Sequence, residues 1–171
     1  MNRYFQQIQG QIIQTRAGVP ISRVLDMILD TDTGKIMAII TAKGKGQIVA
    51  NTDITKIDKT VEIASQEDII DISEVPKIEK QYESGIKFYN NNVQTKDGTR
   101  LGKVIDYSID TELMQLNSIV VAKSFLKIIF WDTKIISYKD ILEVTNNAVI
   151  VKNLVKPIKN KELRMAGASG T

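Results

Sequence analysis

The 171-residue chain contains no cysteine and no histidine. Without cysteine there is no disulfide framework, no thiolate nucleophile and no sulfur ligand for zinc. Without histidine the usual general base at neutral pH and the commonest metal ligand are missing, and Ser-His-Asp arrangements are excluded. These two absences remove most familiar hydrolase and metalloenzyme designs, so a non-enzymatic protein without cofactor or metal is expected. Proline occurs three times and tryptophan once. No stretch approaches the roughly 20 consecutive apolar residues that span a bilayer. Met1–Gln9 lacks the apolar run of a secretory signal. A cytoplasmic protein with no transmembrane segment is expected.

Charges of the two signs nearly cancel except at one end. The net charge of +3 hides a split. Residues 152–171 carry Lys152, Lys156, Lys159, Lys161 and Arg164 against Glu162, a net +4, which leaves −1 for residues 1–151. The body offers no basic face for nucleic acid, and only the tail is cationic. The closing run Ala166–Thr171 has few large apolar groups, so a disordered basic tail is expected.

What the chain does have is a copy of itself. Gln14-Thr15-Arg16-Ala17-Gly18-Val19-Pro20-Ile21-Ser22-Arg23-Val24-Leu25-Asp26 returns eighty residues later as Gln94-Thr95-Lys96-Asp97-Gly98-Thr99-Arg100-Leu101-Gly102-Lys103-Val104-Ile105-Asp106. Leu29-Asp30-Thr31 likewise falls on Ile109-Asp110-Thr111. A period this long is a whole small domain, which implies a tandem duplication. Each half sits near the lower size limit at which one core suffices, so the copies are expected to pack together. The expected boundaries are 1–78, 79–156 and a tail at 157–171.

Within each copy, short β-branched runs separated by turn signals predict a small antiparallel β domain. Strands are expected over Ile21–Leu29, Lys35–Thr41, Gln47–Ala50 and Thr60–Ala64. Their counterparts are Val104–Ile109, Leu116–Ala122, Ile128–Ile136 and Ala148–Val151. Asn51–Ile57 and Asp140–Val144 read as short helical or irregular corners. Ser65–Tyr82 reads as a polar linker with weak helical spacing at Gln66–Asp71. The register moves from eighty to eighty-seven between Lys123 and Ser137, which places about seven extra residues in the second copy's hairpin.

Thr95, Gly98, Leu101, Gly102, Lys103, Val104 and Asp106 form a Thr-x-x-Gly-x-x-apolar-Gly-Lys-Val-apolar-Asp pattern that resembles the PRC-barrel domain. The corner Ile135-Ile136-Ser137-Tyr138-Lys139-Asp140-Ile141 and the closing run Ala148–Val151 are also similar to that family. The first copy departs from the pattern: Ser22 replaces the second glycine, and Asn51-Thr52 stands at the usual aromatic corner. The family's barrel is similar in fold to the cytoplasmic domain of the reaction-centre H subunit and to the C-terminal domain of the maturation factor RimM. The resemblance implies an all-β protein of two tandem PRC-barrel-like domains related by a pseudo-twofold, joined by a short helical linker. It also implies docking to other macromolecules without catalysis.

Four constellations bear on function. Asp30-Thr31-Asp32-Thr33-Gly34 opens like a calcium loop, but the template's later ligands are absent and a hairpin turn is expected. Lys43-Gly44-Lys45-Gly46 has no following helix and reads as a hairpin tip, not a phosphate cradle. Asp26 and Asp106, beside Arg23 and Lys103, read as structural strand residues, because a paired-carboxylate site needs a cleft and a raised pKa. The sharper feature is the apolar hairpin run. Phe125, Leu126, Ile128, Phe130 and Trp131 are too many large side chains to bury in one small barrel. They would pack between the copies, meet a protein partner or a second subunit, or lie in the core. The expected function is a docking or assembly adaptor that uses this apolar β surface, as a homodimer or as an intramolecular pseudo-dimer. The alternative is a ribosome- or RNA-associated maturation factor, using the barrel and the tail cations Lys156, Lys159, Lys161 and Arg164.

Overall fold

The computed structural model describes residues 1–125 and 129–153. The chain opens with a short strand, β1 (Asn2–Tyr4), and one helical turn, α1 (Phe5–Ile8). The first copy follows as β2 (Ile12–Thr15), β3 (Pro20–Leu29), β4 (Ile36–Thr41), β5 (Gln47–Ala50), β6 (Ile54–Ile57), β7 (Val61–Ile63) and β8 (Ile69–Asp71). A helix, α2 (Pro76–Glu83), leads to the second copy. That copy runs β9 (Asn92–Thr95), β10 (Arg100–Asp110), β11 (Gln115–Phe125), β12 (Ile129–Ser137), β13 (Ile141–Val144) and β14 (Val149–Val151). Pro76 stands at the first position of α2, where its fixed φ and missing N–H cost nothing.

The fold is all-β and repeats itself bond by bond. The first sheet has the order β6-β7-β2-β3-β4-β5-β8, and the second β12-β11-β10-β9-β14-β13 with β1 added on β10. The bulges between Val24 and Asp26 and between Ile28 and Leu29 recur between Val104 and Asp106 and between Ser108 and Ile109. The turn in which Gly18 N–H donates to the Thr15 carbonyl and Thr15 N–H to Val19 recurs at Gly98, Thr95 and Thr99. The antiparallel expectation holds except for one parallel pair per copy, β2 with β7 and β9 with β14. In both copies the returning strand closes the half-barrel alongside the strand that began it.

The two copies meet about a local twofold. Ile36 N–H donates to the Met114 carbonyl at 2.8 Å, and Leu116 N–H donates to the Gly34 carbonyl at 2.7 Å. Lys35 and Gln115, eighty residues apart, face each other between these bonds. Beneath the seam lies one continuous core. It joins Ile13, Ile36, Ile39 and Val49 to Tyr107, Ile109, Ile119 and Ile136. A second cluster puts Ile28, Ala38 and Ile48 under Ile78 of α2. This explains why β4 reads Ile-Met-Ala-Ile-Ile-Thr without alternation, since one face meets the joint core and the other meets the helix.

Three segments differ from the sequence reading. Ile69–Asp71, given weak helical spacing, is strand β8, paired with β5; only Gln66–Asp68 before it makes a 3₁₀ turn. The corner Asn51–Ile57 splits into a 3₁₀ turn at Asn51–Asp53 and strand β6. Asp140–Val144 likewise divides, ending a 3₁₀ turn and becoming β13. In each case a partner strand outweighs a weak local preference. β1, which belongs to the first copy by sequence, pairs with the second sheet through Asn2↔Asp110, Arg3↔Ile109 and Tyr4↔Ser108.

Gly102 shows why the family pattern carries a glycine there. Its φ is +138°, and a Cβ would sit 2.2 Å from the Ala122 carbonyl oxygen. Ser22 occupies the matching place in the first copy with its hydroxyl buried and unpaired. Replacing Gly102 with Ala forces β10 away from β11 and should lower stability by about 2–3 kcal/mol. Denaturant midpoints measure this, with Ser22→Ala as the control expected to change stability by less than about 1 kcal/mol.

Candidate functional site

The hairpin the sequence singles out is the second copy's main departure from the first. β4 and β5 stop pairing at Ile40↔Ile48. The matching pair is Val120↔Ile135, beyond which β11 and β12 continue through Val121↔Lys134, Lys123↔Trp131, Ser124↔Phe130 and Phe125↔Ile129. Phe125, Phe130 and Trp131 therefore sit on a paired two-stranded ribbon. Leu126 and Ile128 lie outside the described residues. Near the ribbon's base, Asp132 accepts from Lys134 at 2.6 Å and Lys123 at 3.2 Å, and these donors hold its carboxyl below the usual range. The outer edge of β12 pairs with no strand among the described residues, whereas β5 is covered by β8. An uncovered edge of this length leaves backbone donors and acceptors free for another chain. The tail cations Lys156, Lys159, Lys161 and Arg164 lie outside the described residues.

The loop that looked like a calcium site is a hairpin turn. Asp30 Oδ1 accepts the N–H groups of Asp32 and Thr33, each at 3.0 Å. Asp110 repeats this with Glu112 and Leu113. Burial raises the Asp30 pKa, but these N–H bonds and Lys77 outweigh it and the net shift is downward. Gly44 and Gly46 form the hairpin tip that the sequence indicates, with Gly46 at φ +77°.

Asp26 and Asp106 hold more than strand positions suggest. Each sits at the bulge of its long strand and accepts the N–H of the next residue at 2.8 Å, Met27 and Tyr107 respectively. Burial drives both carboxyl pKa values up, against the opposing backbone bonds. Asp106 is buried and also accepts the Gln6 N–H at 3.3 Å, while Phe5 stacks on Tyr107 with ring centroids 4.9 Å apart. Tyr107 is itself buried, and desolvation, helped by the charges of Asp26 and Asp106, pushes its phenol well above the ordinary value. Asp26 instead faces a cavity of about 270 Å³ lined by Leu29, Gly85, Lys87, Tyr89 and Tyr107. A raised carboxyl pKa and a cleft, which the sequence did not disclose, therefore coincide at Asp26. Asp106 is not in that lining, so the cleft holds one carboxylate and not a pair. The missed signal is the absence of a side chain at Gly85, eighty residues on from Phe5.

Two small half-barrels built on one repeated turn motif define an all-β class of fold. The family model of the PRC-barrel domain matches residues 1–74, where the chain forms the first of the two sheets. That match falls on the copy whose motif departs further from the pattern. No curated protein matches the chain. Among the described residues, no helix is long and apolar enough to cross a membrane.

The burial of Asp106 gives a pH dependence with a definite sign. Its folded pKa lies above the unfolded one, so the native state holds the proton more tightly between the two values. The stability it contributes is present at low pH and falls as pH rises through that window. Asp106→Asn keeps an oxygen for the Tyr107 and Gln6 N–H groups and removes the desolvated charge. At pH 7 it should melt about 2–4 °C higher than the wild type, equivalent to about 1 kcal/mol. The gap should close as pH drops through the carboxylate range. A lower melting temperature at pH 7 would mean that the charged hydrogen bonds outweigh desolvation.

Proposed function

We propose that this chain is a non-enzymatic docking or assembly adaptor of the cytoplasm, binding a protein partner at the long β11–β12 hairpin. The observation that carries the reading is the open β12 edge, continued by four strand pairs that the first copy lacks. A partner strand added there would gain main-chain hydrogen bonds, and alternate side chains would set its specificity. Phe125, Leu126, Ile128, Phe130 and Trp131 supply the aromatic and aliphatic groups that dominate interface energies. The PRC-barrel domain in the first half supports the same reading, because domains of this family commonly serve protein assembly. On this view the first copy, whose edge is already closed by β8, acts as the platform that holds the second.

The double variant Phe130→Ser with Trp131→Ala tests the assignment. The expected outcome is loss of a species that co-purifies with the wild type from native lysate, with the melting temperature preserved within a few degrees. Loss of folding without selective loss of any co-purifying protein would place these residues in internal packing and overturn the reading.

A further inference from the structure

The duplication places the same carboxylate in two settings, one filled and one open. In the second copy, β1 pairs along Ser108–Asp110 of β10, Phe5 stacks on Tyr107, and the Gln6 N–H reaches Asp106. At a spacing of eighty residues, these positions correspond to Ile28–Asp30 at the end of β3, Gly85, Ile86 and Asp26. No described strand pairs with that edge of β3 at Ile28–Leu29; the same edge bonds β2 over Pro20–Arg23 and the Gln9–Gln11 segment at Val24 and Leu25, and β4 pairs on the other side. Gly85 stands where Phe5 would, and a Cβ built on it meets nothing within 4 Å. Ile86, in place of Gln6, turns its N–H onto the Ser84 hydroxyl at 3.2 Å. Asp26 is therefore left with the Met27 N–H as its one hydrogen-bond donor among the described residues.

The space left behind is the 270 Å³ cavity. Tyr107 and Tyr89, the two rings that contact Phe5 (stacked at 4.9 Å and edge-on at 6.3 Å), also line the cavity. Tyr82 and Tyr89, both strongly exposed, are part of the same lining. Aromatic walls, a part-buried carboxylate with a single hydrogen-bond donor beside Lys87, and a strand edge without a partner strand fit one kind of occupant. We propose that this cleft docks an extended segment of a partner protein, which places an aromatic side chain beside Tyr107 and donates the next residue's backbone N–H to Asp26. The chain's own Tyr4-Phe5-Gln6 is the chemical template for that occupant. The ring enters the volume vacant at Gly85, and the flanking backbone adds to β3 at Ile28–Leu29. The N–H bond to a carboxylate is charge-assisted, hence stronger than a neutral one. The site is separate from the β11–β12 hairpin and does not depend on the reading given to it.

The probe is the synthetic peptide acetyl-Asn-Arg-Tyr-Phe-Gln-Gln-Ile-amide, titrated into the isotope-labelled full-length chain and followed by amide NMR. Saturable shifts centred on Asp26, Ile28, Leu29, Gly85, Ile86 and Tyr107 are expected, with a Kd of about 1 mM or tighter. The same peptide with Ala in place of Phe should bind at least about tenfold more weakly, the expected size for losing a buried ring contact. Asp26→Asn, which keeps an acceptor for the Met27 N–H, should weaken the parent peptide about fivefold with a melting temperature no lower than that of the wild type. The hairpin double variant should bind the peptide like the wild type, which separates this site from the hairpin. No saturable shift, or equal binding of the Ala peptide, overturns the proposal. Equal shifts from phenethylamine would make the occupant a free aromatic amine. Concentration-dependent changes of the same amides without peptide would make it a second copy. Either result also overturns the proposal.

Discussion

The whole architecture depends on a pair of backbone hydrogen bonds exchanged between the copies and on the core they seal. Ile36 donates to Met114 and Leu116 to Gly34, so each half completes a bond of the other. A single half has too little apolar surface to close a core that excludes water. Joined, the two bring Ile36, Ile39 and Val49 against Ile109, Ile119 and Ile136 in one cluster. The hydrophobic gain is collective, and the seam is where it is concentrated. Phe5 belongs to the same cluster and stacks on Tyr107 of the other copy.

A twofold repeat frees its copies to differ. Gly34 has no side chain because Tyr138 lies where its Cβ would be, at 2.7 Å, and the Tyr138 hydroxyl donates to the Asp32 carbonyl. Across the axis the matching positions are Met114 and Asn51, so the large side chain has moved from corner to turn. Met114 takes a left-handed backbone, φ 51°, in the place where its counterpart is glycine. A similar exchange separates Gly102 from Ser22. The first copy gained strand β8 along β5, and the second gained length in its hairpin. The seam itself stayed symmetric in both.

The repeat, the turns and the long strands were legible in the residues, because β-branched runs and glycine turns act locally. Strands β8 and β1 were not. Ile69–Asp71 is three residues long, too short for a period to register, and it becomes a strand only because β5 offers an edge. Asn2–Tyr4 pairs with residues more than a hundred positions away, and no local pattern encodes that. The hairpin extension was visible as a change of register between the copies. The cleft at Asp26 was not, since it arises from a side chain missing at Gly85 and from a fold that brings Tyr89 and Tyr107 to the same place. Strand alternation alone made Asp26 and Asp106 equivalent. Only the burial of each shows that one is enclosed and the other opens on space.

The position of β1 also constrains how the molecule is made. Asn2–Tyr4 pair with Ser108–Asp110, so this edge cannot close until more than a hundred further residues have been synthesised. At ordinary elongation rates that delay is roughly 5–20 s. During it, Phe5 has no Tyr107 to stack on. The nascent first copy must therefore wait half-finished, with Phe5 uncovered.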